Sequence, residues 1–310
     1  MADTIPTKSD IFCSPTADLV LRSADDVDFC VHKLILATSS PFFDDMSRLP
    51  QPATASADPS AAPVATMAET SRTLDILLHL VYPDKHPAPF SLLELGRVLK
   101  AADKYDMDGV VGQLRQLLGL PMYVQAEPYR VFALACQYDL GDELIKRAAK
   151  NTLQCQLPHL TYPLTAPPEL VDLSALQYHS LLTYRDRCLS ALATMLYDTA
   201  RNKGALPPSQ APISIQPIWV TCSCAAVSGV TDWFRYYVEN TLASLRSGIT
   251  VEAIRSVARV ECTLTKIPPR CKLCATDGAR DLLRFIDAAA AKMEETVVRV
   301  EFSSMKVEQI

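Results

Sequence analysis

Residues 29–46 read FCVHKLILATSSPFFDDM, and their period changes twice. Phe29-Cys30-Val31 is a short strand pattern. From His32 to Ala37, Leu34, Ile35 and Leu36 fall at helical spacing. Thr38-Ser39-Ser40-Pro41 then ends one helix and opens another, with serine as N-cap and proline in the first helical position. Phe42, Phe43 and Met46 give that second helix an apolar side. A strand running directly into two short helices predicts a mixed domain with a small sheet.

Working outward, Asp18-Leu19-Val20-Leu21-Arg22-Ser23 carries Leu19 and Leu21 on one side and Val20 on the other, as in a partly buried strand. Residues 24–28 are turn-like, so 18–31 reads as a hairpin. Residues 1–10 are polar and read as a flexible N-terminus. On the other side, LPQPATASADPSAAPVAT at 49–66 is too poor in large apolar groups to be core and reads as a flexible Pro/Ala-rich insert. Val64 to Met67 re-enters the sheet. Helical spacing follows at Leu74–Val81, closed by Tyr82-Pro83, then at Leu92–Ala102 and at Val110–Leu118, ended by Gly119 and Pro121. Two shorter helices fill 128–153, split near Asp139-Leu140-Gly141-Asp142. Leu173 to Tyr197 reads as one long helix between a Pro-rich crossing at 157–170 and a loop at 204–217. Helical patterns resume at 230–247, 250–260 and 278–297. The expected fold class is α+β: a short sheet flanked by helices at 11–120, a helical extension at 121–200 and a helical C-terminal domain at 201–310.

Bulk properties bound the function. A chain of 310 residues suits two or three domains, and 49% apolar residues suffice for real cores. No run of 18 apolar residues occurs, so no membrane span is expected. Met1-Ala2-Asp3-Thr4-Ile5-Pro6 lacks the basic-then-apolar pattern of a secretory signal, which points to an intracellular protein, cytoplasmic or nuclear. The net charge is −5, and residues 201–310, with 14 basic and 11 acidic side chains, are the only third with a positive balance. That is a weak footprint for nucleic acid.

The segments Ala17-Asp18-Leu19-Val20-Leu21 and Phe29-x-Val31-His32-Lys33-x-x-Leu36-Ala37-x-Ser39-Ser40-x-Phe42-Phe43 carry a family resemblance. So do Leu74-x-x-Leu77-Leu78-x-x-Val81-Tyr82 and Ala101-Ala102-Asp103-Lys104-Tyr105-x-Met107. Together, over about 11–120, they resemble the BTB/POZ domain, and most of all the expanded set of such proteins in mushroom-type fungi. The resemblance implies a protein-interaction module that pairs with itself or with protein partners, cullin-type ubiquitin ligases and transcriptional co-regulators among them. It marks Asp18 and His32 as family-matching positions that hold the domain together or lie near its dimer face. By its own position, His32 reads as a half-buried histidine bonded to a loop, and Asp18 as a turn cap. The insert at 49–66 departs from a compact domain. No kelch repeat or C2H2 finger spacing follows it.

Ten cysteines without a secretory signal suggest thiols or a metal site. Cys222-Ser223-Cys224 and Cys271-Lys272-Leu273-Cys274 are the most specific pairs. Two such pairs can supply the four thiolates of a structural zinc, although Cys-x-Cys is tighter than the usual spacing. Pro268-Pro269-Arg270 would present the second pair, and Cys262 is a spare ligand. No histidine lies beyond His179, which disfavours an open catalytic zinc. The alternatives are thiols without metal and a redox Cys-x-x-Cys. Trp219, Trp233, Phe234, Tyr236 and Tyr237 near the first pair read as core. No P-loop, dinucleotide fingerprint, nucleophile elbow or zinc-protease motif occurs. The expected function is therefore a non-enzymatic interaction protein. A metal-containing transcriptional or nucleic-acid-associated regulator is the alternative, and a thiol or zinc enzyme the third.

Overall fold

The computed structural model describes residues 7–48, 62–82, 90–156, 168–200, 222–224 and 230–303. The chain forms two compact units, Met1–Ile145 and Lys146–Ile310.

The first unit is built on a four-stranded sheet of β1 (Thr7–Cys13), β2 (Leu19–Arg22), β3 (Val27–Val31) and β4 (Val64–Thr66), in the order β1-β3-β2-β4. β2 and β3 are the antiparallel hairpin, with Leu19 opposite Val31 and Leu21 opposite Phe29. These four side chains are buried, as a period of two requires when one face is covered. On the other face Arg22 stands opposite Asp28 and makes a two-pronged ion pair at 2.7 and 3.0 Å. The hairpin turns at Asp26, whose φ of 58° is a left-handed value that aspartate tolerates. The turn is closed by Ser23 Oγ, which accepts from Val27 N at 2.9 Å.

One expectation changes here. Residues 7–10, expected to be loose, belong to edge strand β1, parallel to β3. A free strand edge there supplies backbone hydrogen bonds that composition does not advertise. The expected return of the chain to the sheet after the insert is edge strand β4, parallel to β2. The remainder of the insert, 49–61, lies outside the described residues, as do 1–6, most of the Pro-rich crossing and the loop at 204–217.

Helices α1 (Lys33–Ser39), α2 (Pro41–Arg48), α3 (Ser71–Val81), α4 (Leu92–Lys104) and α5 (Asp108–Leu118) complete the N-terminal domain. Leu74, Ile76 and Leu78 of α3, Leu95 and Leu99 of α4 and Leu114 of α5 are buried in its core. α4 opens with a capping box: Ser91 Oγ accepts from Glu94 N at 3.3 Å, and the Glu94 carboxylate accepts from Ser91 N at 2.8 Å. Short helix α6 (Pro121–Val124) and α7 (Pro128–Gln137) belong to the same unit, which therefore runs beyond residue 120. α8 (Asp142–Thr152) follows after Asp139 and Gly141, both with positive φ.

The second unit contains α9 (Ala175–Ala200), α10 (Asp232–Ser247), α11 (Val251–Arg255), α12 (Val257–Leu264) and α13 (Lys272–Val298). Trp233, Phe234 and Tyr237 of α10 and Leu282, Phe285 and Ile286 of α13 are buried. Phe234 meets Phe285 edge-on at 4.9 Å, a favoured aromatic geometry. No helix among the described residues is long and apolar enough to cross a membrane.

Candidate metal centre and interaction domain

Cys222 and Cys224 lie on the described segment 222–224. Cys271 is the N-cap of α13, and Cys274 stands in its first turn. Pro268-Pro269-Arg270 forms a turn before the helix, in which Cys271 N donates to Pro268 O at 3.1 Å. The four Sγ atoms of Cys222, Cys224, Cys271 and Cys274 all lie within 4.8 Å of one another. Cys222 Sγ is 3.3 Å from Cys271 Sγ and 3.4 Å from Cys274 Sγ. These separations exceed a disulfide bond of about 2.05 Å. They lie near the edge of about 3.8 Å of a sulfur tetrahedron around an ion with metal–sulfur bonds of about 2.3 Å. The four cysteines can therefore hold a metal ion.

The charges in the cluster favour a cation. The Cys271 thiol is lowered to about 6, first by the backbone N–H of Cys274 and then by the Cys224 and Cys222 thiols. Its position at a helix N-terminus acts in the same direction. Cys274 is pushed up to about 12, chiefly by burial, and Cys224 to about 11 by its hydrogen bonds to Cys271 and Cys222. Of these three, Cys271 is the thiol that ionises most readily, and its sulfur accepts hydrogen bonds from its neighbours. Four thiolates this close need a positive ion to offset their repulsion.

Outside the cluster, the buried Trp233 side chain acts to lower the Cys274 thiol, against the larger effect of burial. Trp233 is packed against Gly278, one turn beyond Cys274, where an added Cβ would stand 3.5 Å from the ring and 3.1 Å from Ile267 Cδ1. A glycine there leaves room for the Ile267 side chain against α13. Cys262 is not in the cluster; its Sγ contacts Tyr236 Oη at 3.3 Å. Trp233, Phe234 and Tyr237 are core residues, and Trp219 lies outside the described residues.

In the first unit, Asp18 and His32 flank the start of α1. The Asp18 carboxylate accepts from Lys33 N at 2.8 Å and so caps the helix from 15 residues away. The His32 ring lies 2.9 Å from Thr16 Oγ1 through Nε2 and 3.2 Å from Tyr82 Oη through Nδ1, and His32 N donates to Tyr82 Oη at 2.8 Å. Both residues fix the junction between the hairpin, α1 and the end of α3. Tyr82 is the residue that the sequence marks as closing α3, whereas Thr16 is a partner that the sequence pattern did not single out. Beyond this junction, Leu34 of α1 is 79% exposed and Ile11 of β1 56% exposed.

Residues 10–119 match the family model of the BTB/POZ domain, a little over a third of the chain. No curated protein matches the chain. The protein thus has an N-terminal BTB/POZ domain, generally a non-enzymatic protein–protein interaction module, followed by a mostly helical C-terminal region.

Proposed function

We propose that this protein is a non-enzymatic interaction protein that associates with a second copy of itself through its BTB/POZ domain and presents the pair to further protein partners. The observation that carries the reading is the domain match over 10–119. The exposed Leu34 and Ile11 support self-association, since burial of an aliphatic side chain is worth about 1.5–3 kcal/mol. A cullin scaffold or a transcriptional co-regulator is the class of further partner this reading admits. An intracellular setting goes with it, supported by ten cysteines of which none forms a disulfide. Two copies of the chain carrying different tags should purify together when co-expressed, and Leu34→Asp should abolish the co-purification. Separate recovery of the two native copies would overturn self-association.

We infer also that Cys222, Cys224, Cys271 and Cys274 bind one structural zinc ion that ties segment 222–224 to the start of α13. The support is the mutual approach of four thiols with no imidazole or carboxylate among them, a closed set that leaves no position for a catalytic water. Elemental analysis of the purified chain should find about one zinc per molecule. A strong chelator should lower the denaturant midpoint of the C-terminal unit. A chain free of zinc after purification in zinc-containing medium would contradict the reading.

A further inference from the structure

We propose that the zinc centre is an oxidant-sensitive clamp, in which a hydroperoxide joins Cys222 to Cys271 as a disulfide and expels the ion while segment 222–224 stays tied to α13. The proposal rests on the zinc reading above and adds a second state to the same four cysteines.

Two observations taken together select this pair. Cys222 Sγ lies 3.3 Å from Cys271 Sγ and 3.4 Å from Cys274 Sγ, both on the other segment. Access differs among the thiols: Cys222 and Cys274 are buried, whereas Cys271 and Cys224 are half-buried, so an oxidant meets the second pair first. The more accessible Cys271 sulfur thus lies 3.3 Å from a buried partner able to resolve it, the arrangement that turns a first oxidation into a disulfide.

The chemistry balances with a hydroperoxide as the oxidant. The Cys271 thiolate attacks one peroxide oxygen, the O–O bond breaks, and the departing oxygen takes a proton to leave as water or an alcohol. Cys271 is then a sulfenic acid. The Cys222 thiolate attacks the Cys271 sulfur, the S–O bond breaks, and hydroxide leaves and is protonated to water. Two thiolates have lost two electrons, and the peroxide has gained them with two protons. The remaining thiolates of Cys224 and Cys274 no longer make a closed tetrahedral set. A bond between Cys222 and Cys271 spans the same two segments that the ion bridged, so the oxidised form keeps the junction and loses only the metal.

The test uses the full-length, zinc-loaded chain and hydrogen peroxide. Zinc content is measured first. Added peroxide should then release zinc, read with a chromogenic indicator, in step with the loss of two thiols per ion. Non-reducing peptide mapping should show Cys222 linked to Cys271, and the helical circular dichroism should persist. Dithiothreitol with added zinc should restore the starting state. Cys224→Ser retains the reacting pair and should form the same bond, whereas Cys222→Ser should release zinc without it. A chain that carries no zinc at the outset overturns the zinc reading and this proposal together. Zinc that is present but stays bound overturns the clamp alone. So does zinc that leaves with a Cys271–Cys274, Cys222–Cys224 or intermolecular disulfide, or with loss of helicity.

Discussion

Arg185 shows how much a single residue carries in this protein. It is 4% exposed, and its guanidinium donates to Thr152 O at 3.1 Å, Cys155 O at 3.0 Å and Arg246 O at 2.9 Å. Thr152 ends α8 and Arg246 lies in the last turn of α10, so one cation serves carbonyls at two helix C-termini. Arg185→Ala should lower stability by about 3 kcal/mol, since hydrogen bonds to a buried charged group are each worth about 1.5–3 kcal/mol. Arg185→Lys should recover only part of this, because an ammonium lacks the guanidinium's fork. A denaturation midpoint equal to the native one for Arg185→Ala would contradict the account. At the opposite end of the scale are two carboxylates that bond the first residues of helices. Asp25 is lowered to about 2 by Ser71, whose N and Oγ both lie 2.6 Å from it. Glu94 is lowered to about 2, first by Arg72 and then by Ser91. Both values are depressed in the folded state, so the stability they supply is present above the unfolded range near pH 4 and is lost as the pH falls toward 2. Ser71→Ala should flatten the Asp25 part of this acid loss, a small effect of about 0.5 kcal/mol after solvent screening. An unchanged slope between pH 4 and 2 would count against it. The sequence shows an aspartate in a turn and a histidine at a helix start. It does not show that Asp25 reaches Ser71 or that His32 reaches Tyr82, 46 and 50 residues on.

Among elements, β1 was the least legible. Thr7-Lys8-Ser9-Asp10 has no apolar alternation, and in the strand only Phe12 is buried. That ring holds the strand in place. It meets His79 at 5.1 Å and Tyr82 at 5.4 Å, both edge-on, and lies 6.1 Å from Phe29. Phe12→Ala should cost about 3 kcal/mol and release β1, seen as rapid amide hydrogen exchange over 7–13 while β2 and β3 stay protected. Protection of β1 in that variant would show that backbone pairing to β3 suffices. The β2–β3 hairpin and the long helices were readable because their periods of 2 and 3.6 are properties of the chain itself. The capping box at Ser91 and Glu94 stands in the sequence as Ser-x-x-Glu but was not singled out there. The cysteine pairs stood out by spacing, but their approach could not be read, because Cys222 and Cys271 are separated by 49 residues and meet only through tertiary packing.

At the scale of the molecule, the sequence shows a change of character near residue 120, where the short sheet and its helices give way to helical patterns alone. The structure carries the first unit on to Ile145, with Val131 and Phe132 of α7 fully buried. The periodicity of α7 marks it as a helix with an apolar face but does not say which neighbour takes that face. Helices α6 and α7 are therefore part of the first compact unit, and the self-association proposed above is best tested on the whole chain. The measurement that tests this most directly is the mass of the full-length chain in solution, by light scattering over a micromolar concentration series. The account predicts twice the chain mass for the native protein and the single-chain mass for Leu34→Asp at the same concentrations. A native protein that remains at the single-chain mass across the series would contradict it.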